Sequence, residues 1–321
     1  MKVVFNTWPA AFFQKGGGEV QVEKSLEFLQ KLNVDVSKYD MWNPQREQDI
    51  LHHFSMIEGA FKVIEAYKAA GSKICISPIL WPTGQNHELS GKPYVRHCFH
   101  LADKIFTNSN MESDLLAKFY ETPIEKFHKT RNGVDPFYFV QSEENLFRNK
   151  YQVPGDFVLS IANIDRRKNT KKLVSACTKL GLKLVSIGHI KDPGYYNEFS
   201  ASKNLIQLGP IEDVEMLKSA SKACQLFALP SLCETPGLAA LEAGSQGCKI
   251  VITSEGSTRE YFEDHVTYVD PLSEDSIVNG LERELAMNRD LIALQDHMKL
   301  NYSWEMTALD ILKGYKKVLN P

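Results

Sequence analysis

Short runs of apolar residues alternate with segments of helical period from one end of the chain to the other, the pattern of parallel sheets covered by helices on both faces. In the first half, Lys2 to Phe5 predicts a strand, and Val22, Leu26, Leu29 and Leu32 give the stripe of a helix after it. Asp49 to Phe54 predicts the next strand. Met56, Ile57, Ala60, Phe61, Ile64 and Tyr67 form a second helical stripe, and Lys73 to Ile79 and Lys104 to Thr107 return to strand character. Ser109 with Glu112 is a capping box, and it predicts a helix over Ser113 to Tyr120 entered directly from the strand before it.

Periodicity lapses between Asn132 and Lys150, where NGVD reads as a turn and QSEENLFRNK is polar. A domain boundary is expected there, dividing residues 1–145 from 146–302 and leaving 303–321 as a terminal helix. Beyond the break, Phe157 to Ala162, Leu182 to Gly188, Leu205 to Leu208, Cys224 to Leu229, Lys249 to Thr253 and Val266 to Val269 predict strands with helices between most of them. That is a second complete Rossmann-like unit.

A chain of 321 residues suits two such domains of roughly 100 to 200 residues each. A formal charge of -3 gives no bulk reason to bind nucleic acid. The six cysteines have neither C-x-x-C spacing nor a histidine ladder, so they read as reduced thiols rather than as disulfides or a zinc site. The start of the chain lacks the pattern of a signal peptide, and no apolar stretch approaches about 18 residues. A cytoplasmic location is expected, with at most peripheral contact at the inner membrane face.

Chemistry concentrates in PSLCETPGLAALEAGSQG, Pro230 to Gly247, which follows a buried strand and opens a helix near Pro236. Pro236 suits the first helical turn and Gly237 admits a ligand close to the backbone, so free amides and the positive helix end can hold an anion. Glu234 precedes the helix and Glu242 lies about 8 to 9 Å along it. Two carboxylates so placed can accept bonds from sugar hydroxyls on either side of a diphosphate. An isolated pair of glutamates reads as solvated charge. Here the segment resembles the E-x7-E motif of retaining glycosyltransferase family 4, including the preceding Pro-Ser, the Gly-Leu and the Glu-Ala at the second glutamate.

The resemblance extends over nearly the whole chain. FVLSIANIDRRKNTKKLVSA, Phe157 to Ala176, is similar to the family's strand, turn and helix with an arginine and a lysine that neutralise the donor diphosphate, and Arg167 and Lys168 match that pair. Many members carry an arginine directly after the strand, where this chain has Asn163; Arg166 or Arg167 is the substitute. Gly16, Gly17 and Gly18, entering the first long helix, resemble the N-terminal glycine loop that approaches the donor phosphates. Asn132, Gly133 and Asp135 match structural turn residues, and SWEMTALDILKGYKKVL resembles the terminal helix that crosses back to the first domain.

The resemblance implies a GT-B fold: α/β, with two facing Rossmann-like domains and parallel sheets, the donor held mainly by the second. It implies transfer with retention from a nucleotide-sugar to a saccharide or lipid-linked saccharide acceptor, of the kind found in polysaccharide biosynthesis. Glu234 would position the donor sugar, and Glu242 would hold the ribose. Arg167 and Lys168, with Arg166, Pro236, Gly237 and Leu238 beside them, would bind the diphosphate. No D-x-D triplet occurs, so neither cofactor nor metal is expected. His52, His53 and His87 are the acceptor-side candidates, although the histidine that many relatives carry after the strand at ISPILWP is missing. The alternative is a catalytically silent subunit that scaffolds a partner enzyme. A nicotinamide dehydrogenase is disfavoured, since no G-x-G-x-x-G follows a strand.

Overall fold

The computed structural model describes residues 1–13, 15–57, 61–82 and 93–320; Ala60 and His87 lie outside them. The chain forms two compact units, one of Met1–Gly133 with Trp304–Pro321 and the other of Val134–Ser303. The division falls before residue 145 because the helix over Glu144–Tyr151 packs on the helix over Val214–Ala223. Phe147 is fully buried there, and its N–H donates to Ser219 Oγ at 2.9 Å.

In the first unit, strands β1 (Lys2–Asn6), β2 (Asp35–Lys38), β3 (Ile50–Phe54), β4 (Lys73–Ser77), β5 (Lys104–Thr107) and β6 (Phe127–Lys129) pair in parallel in the order β2-β1-β3-β4-β5-β6. The central strands β1, β3 and β4 are buried almost throughout because helices cover both faces. β2 and β6 were not legible in the apolar pattern. They are edge strands, DVSK and FHK, with little to bury. Strand order reverses between β1 and β3, so the crevice at the carboxyl ends of these two strands is the topological switch point.

Helices α1 (Gly17–Lys31), α2 (Phe61–Ala69), α3 (Pro93–Leu101) and α4 (Asn110–Tyr120) complete the βα units. α1 buries Gln21, Val22, Ser25, Phe28 and Leu29, leaving Leu26 and Leu32 partly exposed. Ser109 Oγ caps α4 by accepting from Glu112 N at 2.9 Å. The Glu112 carboxylate accepts from Asn108 N at 2.6 Å, and the helix begins at Asn110, three residues before the expected Ser113.

In the second unit, β7 (Phe157–Ile161), β8 (Lys183–Ile187), β9 (Leu205–Leu208), β10 (Leu226–Leu229), β11 (Ile250–Thr253) and β12 (Thr267–Val269) form a parallel sheet in the order β12-β11-β10-β7-β8-β9. Counted from β7 this is the 3-2-1-4-5-6 order of a doubly wound fold, with its switch point between β7 and β10. Phe157 and Leu159 pack into one core and Val158 into the other, as the two-residue strand period requires. The helices are α5 (Glu144–Tyr151), α6 (Thr170–Lys179), α7 (Pro193–Asn197), α8 (Val214–Ala223), α9 (Leu238–Ser245), α10 (Thr258–Phe262), α11 (Glu274–Ala286) and α12 (Leu291–Asn301).

The last helix, α13 (Trp304–Leu319), returns to the first unit and packs on α1, β4 and β5. Arg131 Nε donates to Asp310 Oδ2 at 2.8 Å, and His128 Nε2 donates to the Asp310 carbonyl at 2.9 Å. A side chain at Gly314 would come within 2.3 Å of the Phe106 ring, so glycine sets how closely α13 approaches the sheet.

Candidate active site

The switch point of the second unit brings together two loops that lie far apart in sequence. After β7, Ala162 N donates to Ile187 O at 2.9 Å and Ile164 N to His189 O at 2.8 Å, which ties this exit to that of β8. Asp165 Oδ1 then accepts from Lys168 N at 3.0 Å and caps a single 3-10 turn, Arg166–Lys168. Asn169 ends the turn in the left-handed region, φ 57°, a conformation asparagine tolerates better than most residues. Its Nδ2 donates to Pro230 O at 3.0 Å and to Pro271 O at 2.9 Å, and Leu232 N donates to Arg167 O at 2.8 Å. These bonds staple the basic turn to the exit of β10.

The stapling joins Lys168 to Glu234. Lys168 Nζ donates to Glu234 Oε1 in an ion pair whose side chains are 15% and 6% exposed, so both charges are largely removed from water. Burial alone would raise the Glu234 pKa. The Lys168 and Arg167 charges outweigh it and hold the carboxyl below its ordinary range, so it is ionised at neutral pH.

Backbone geometry fixes Glu234 from the other side. Glu234 N donates to Glu255 O at 3.2 Å and Ser257 N to Glu234 O at 2.9 Å, forming a parallel bridge to Gly256. Gly256 has φ +94°, and a Cβ there would lie 2.0 Å from Glu234 O; no side chain fits.

The helix opens later than the sequence predicts. Pro236, expected in the first helical turn, lies outside it, joined to Thr235 by a cis peptide bond. α9 begins at Leu238, with Gly237 as its N-cap at φ 92°. The positive φ at Gly237 turns the chain sharply into the helix and displaces its start by two residues. Gly237 O accepts from Ala240 N and Leu241 N at 3.0 and 3.2 Å, so the helix's first carbonyl acceptor serves those two amides, and the amides of Leu238 and Ala239 at its start lie before any intrahelical acceptor. Glu234 Oε2 lies 3.5 Å from where a Gly237 Cβ would sit, which puts the carboxylate beside the helix start.

Glu242 is therefore four residues from the helix start, about 6 Å along the axis rather than 8 to 9 Å. It is half-buried, next to Tyr138 and Asp135. Burial pushes its carboxyl up to about 7, the Asp135 charge adding to the rise and a hydrogen bond from Tyr138 opposing it. Gln246 holds this neighbour in place, its Nε2 donating to the Tyr138 and Val140 carbonyls.

Not every predicted residue faces this crevice. Arg166 is committed elsewhere: it pairs with Glu198 at 2.8 Å and Asp192 at 3.5 Å and lies over the Tyr195 ring, so two carboxylates already neutralise it. Asn163 Oδ1 accepts from His189 N at 3.3 Å. Asn169, Gly256 and Tyr138 were missed by sequence reasoning, because their importance lies in non-local contacts: Asn169 with Pro230, a separation of 61, Tyr138 with Gln246, a separation of 108, and Gly256 with Glu234 across a parallel bridge.

In the first unit, the glycine segment opens the helix that follows β1, with Gly18 beside the Ile79 side chain beyond β4. Gly16 precedes α1, Gly17 and Gly18 form its first turn, and the Glu19 carboxylate accepts from Gly16 N at 2.8 Å. His52, an acceptor-side candidate in the sequence, lies in the core of the first unit. It is fully buried, its Nδ1 meets Tyr315 Oη at 2.6 Å and its Nε2 meets Ser77 Oγ at 2.9 Å, so both ring nitrogens are used. His53 is likewise buried; it pairs with Asn6 Nδ2 at 3.1 Å, and burial lowers its pKa to about 4.

Two six-stranded parallel sheets, each with its own switch point, are the architecture of GT-B glycosyltransferases, and solved members of that class share the fold. HepE of Anabaena, crystallised in complex with UDP and glucose, matches 98% of this chain and 99% of its own with a TM-score of 0.78 at 14% identity. Residues 141–300, within the second unit, match the family model described as glycosyl transferases group 1. An uncharacterised glycosyltransferase of Methanocaldococcus jannaschii is 26% identical over 66% of this chain and 60% of its own. D-inositol 3-phosphate glycosyltransferase of Stackebrandtia nassauensis is 28% identical over 67% of this chain and 54% of its own. The chain thus spans less than two thirds of the length of either relative.

Proposed function

We propose that the protein transfers a sugar, with retention and without a metal, from a nucleotide-sugar to a saccharide or lipid-linked saccharide acceptor. The observation that carries this reading is the buried Lys168 and Glu234 pair at the switch point, set against the start of α9. A leaving diphosphate needs positive potential where its charge develops. Lys168, Arg167 and the first amides of α9 supply it from fixed positions, with no reorganisation required during the reaction. Glu234, ionised and held on both sides, orients hydroxyls of the donor sugar, while Glu242 accepts from the ribose. The acceptor hydroxyl loses its proton to the departing phosphate oxygen on the same face, so no separate base is needed.

The complex of HepE with UDP and glucose supports a nucleotide-sugar donor, and the D-inositol 3-phosphate glycosyltransferase supports a polar polyhydroxyl acceptor. A cytoplasmic setting follows from the nucleotide-sugar donor. Among the described residues no helix is long and apolar enough to cross a membrane. The test is a thermal-stability screen with UDP, GDP, ADP, CMP and dTDP, followed by transfer assays with sugars of the stabilising nucleotide. A ligand that binds only the folded state raises the melting temperature with its concentration. Failure of every nucleoside diphosphate to do so at millimolar concentration would refute the reading.

A further inference from the structure

We infer that Glu263, His265 and His297 form a binding site for one divalent transition-metal ion, of the zinc class, that ties the turn between α10 and β12 to α12. Each of the three offers one ligand atom, and these atoms lie within 4.8 Å of one another. A tetrahedral ion with bonds of about 2.0 to 2.1 Å sets its ligands roughly 3.3 Å apart, so closure requires movements of about an ångström from side chains that solvent reaches. Glu263 is exposed and the two histidines are partly so. Two imidazoles and one carboxylate are a recurrent donor set for zinc, leaving the fourth position to water.

A second observation points the same way. His297 Nε2 lies 2.9 Å from the Tyr261 carbonyl, an acceptor only, so that nitrogen carries the proton and Nδ1 keeps its lone pair. Donation of the second ring N–H to a backbone carbonyl is how metal-binding histidines are usually oriented. The nearest competitor for Nδ1 is Asn301 Nδ2 at 3.4 Å, a weak contact, since the same amide donates to His297 O at 3.0 Å. The His265 and His297 rings already lie side by side, with centroids 4.8 Å apart and a tilt of 33°. The turn is held independently of any ion: Glu263 N donates to Arg259 O at 3.1 Å, His265 N to Phe262 O at 3.0 Å, and Tyr268 Oη to Glu263 O at 2.6 Å.

The consequence is structural. α12 packs on α9, the helix that carries Glu242, through Leu294 and Met298 against Gly244. An ion joining α12 to the turn after α10 would stabilise that side of the second unit. Glu263 and His265 are two positions apart, but His297 lies 32 positions further on, so the set forms no local metal motif.

The chain stripped with EDTA is titrated with Zn2+ by calorimetry and with Co2+ by visible absorption, Mg2+ and Ca2+ serving as oxygen-preferring controls. One equivalent of Zn2+ is expected to bind and to raise the melting temperature. Co2+ is expected to give d-d bands, and both controls should be silent. His265→Gln and His297→Gln should each weaken binding at least about tenfold, and the glutamine amide at 297 can retain the bond to Tyr261 O. Three results would overturn the site: no saturable binding of one equivalent, unchanged affinity in both histidine variants, or loss of binding in Cys224→Ser/Cys248→Ser instead, whose sulfurs lie 3.1 Å apart. Because the readout is binding and melting, it is independent of whether transfer tolerates EDTA.

Discussion

Glu242 is the residue for which the proposed function and the electrostatics make opposite demands. To accept hydrogen bonds from ribose hydroxyls it must be ionised, yet burial pushes its carboxyl up to about 7. Nucleotide binding should therefore draw a proton out of the site near neutrality. With a pKa of about 7 the ionised fraction falls from about ten-elevenths at pH 8 to one-eleventh at pH 6, so affinity should drop about tenfold over that range. The probe is the nucleotide-sugar, whose phosphate diester does not titrate there. Glu242→Gln should remove the pH dependence and leave affinity low throughout. The same variant makes a prediction of opposite sign for stability. A carboxyl raised from 4.5 to about 7 on folding contributes its full stability below pH 4.5 and loses it as pH rises to 7. The deficit above pH 7 is about 3 kcal/mol at most, at 1.36 kcal/mol per unit. Glu242→Gln should thus melt higher than the parent at pH 8, and the gain should vanish at pH 4. Calorimetric titration at pH 6, 7 and 8 with paired melting curves reads both effects. A parent affinity that is flat across this range, with no gain in stability at pH 8, would refute the assignment of charge to Glu242.

Lys168→Ala strands Glu234 as a buried unpaired charge and should cost about 3 to 5 kcal/mol, much of it recovered in Lys168→Ala/Glu234→Gln; equal melting of the two variants would refute the coupling. Glu234→Gln alone should cut transfer sharply while nucleoside diphosphate affinity, read by titration, stays near the parent value. His53, whose pKa falls from 6.5 to about 4 on folding, contributes stability in full above pH 6.5. About 3 kcal/mol of it should be lost as pH falls to 4, and chemical denaturation of His53→Gln should show a shallower acid limb. Activity should survive EDTA, and an α-linked donor should give an α-linked product, read from the anomeric coupling by NMR; a β product, or rescue by magnesium after chelation, would overturn the mechanism.

Sequence pattern located the strands well where they carry apolar side chains into a core and poorly where they do not. β5 and β9 fall where the apolar runs place them, Lys104–Thr107 and Leu205–Leu208: three of the four residues of β5 are buried, and β9, although an edge strand, packs Leu205, Ile206 and Leu208 on the two cores. β2 and β6 bury too little to leave a pattern. The start of α9 was misjudged for a different reason: proline is common at a first helical position, but here the positive φ of Gly237 makes glycine the cap and puts Pro236 outside. His52 looked available because it sits near the end of a strand. Only the return of α13, which brings Tyr315 to its ring, shows that the position is core, and a contact spanning 263 residues has no local signature.

The run Arg166, Arg167, Lys168 shows the same limit at the site itself. Three adjacent cations are equivalent in sequence, but a 3-10 turn advances about 120° per residue and so points them in three directions. Arg166 reaches Glu198 and Asp192, Lys168 reaches Glu234, and Arg167 remains exposed. On the proposed function the division has a consequence for binding. The Lys168 and Glu234 pair carries no net charge, so the attraction that an approaching diphosphate meets comes first from Arg167 and the start of α9. Once the phosphates arrive, Lys168 can share its three donors between phosphate and carboxylate, while Glu234 turns a lone pair to a sugar hydroxyl. Without ligand each charge serves as the other's counter-ion. A buried lysine and a buried glutamate at a ligand site would otherwise carry a desolvation penalty of several kcal/mol apiece. Pairing therefore keeps Glu234 ionised and holds both groups in position before the donor binds.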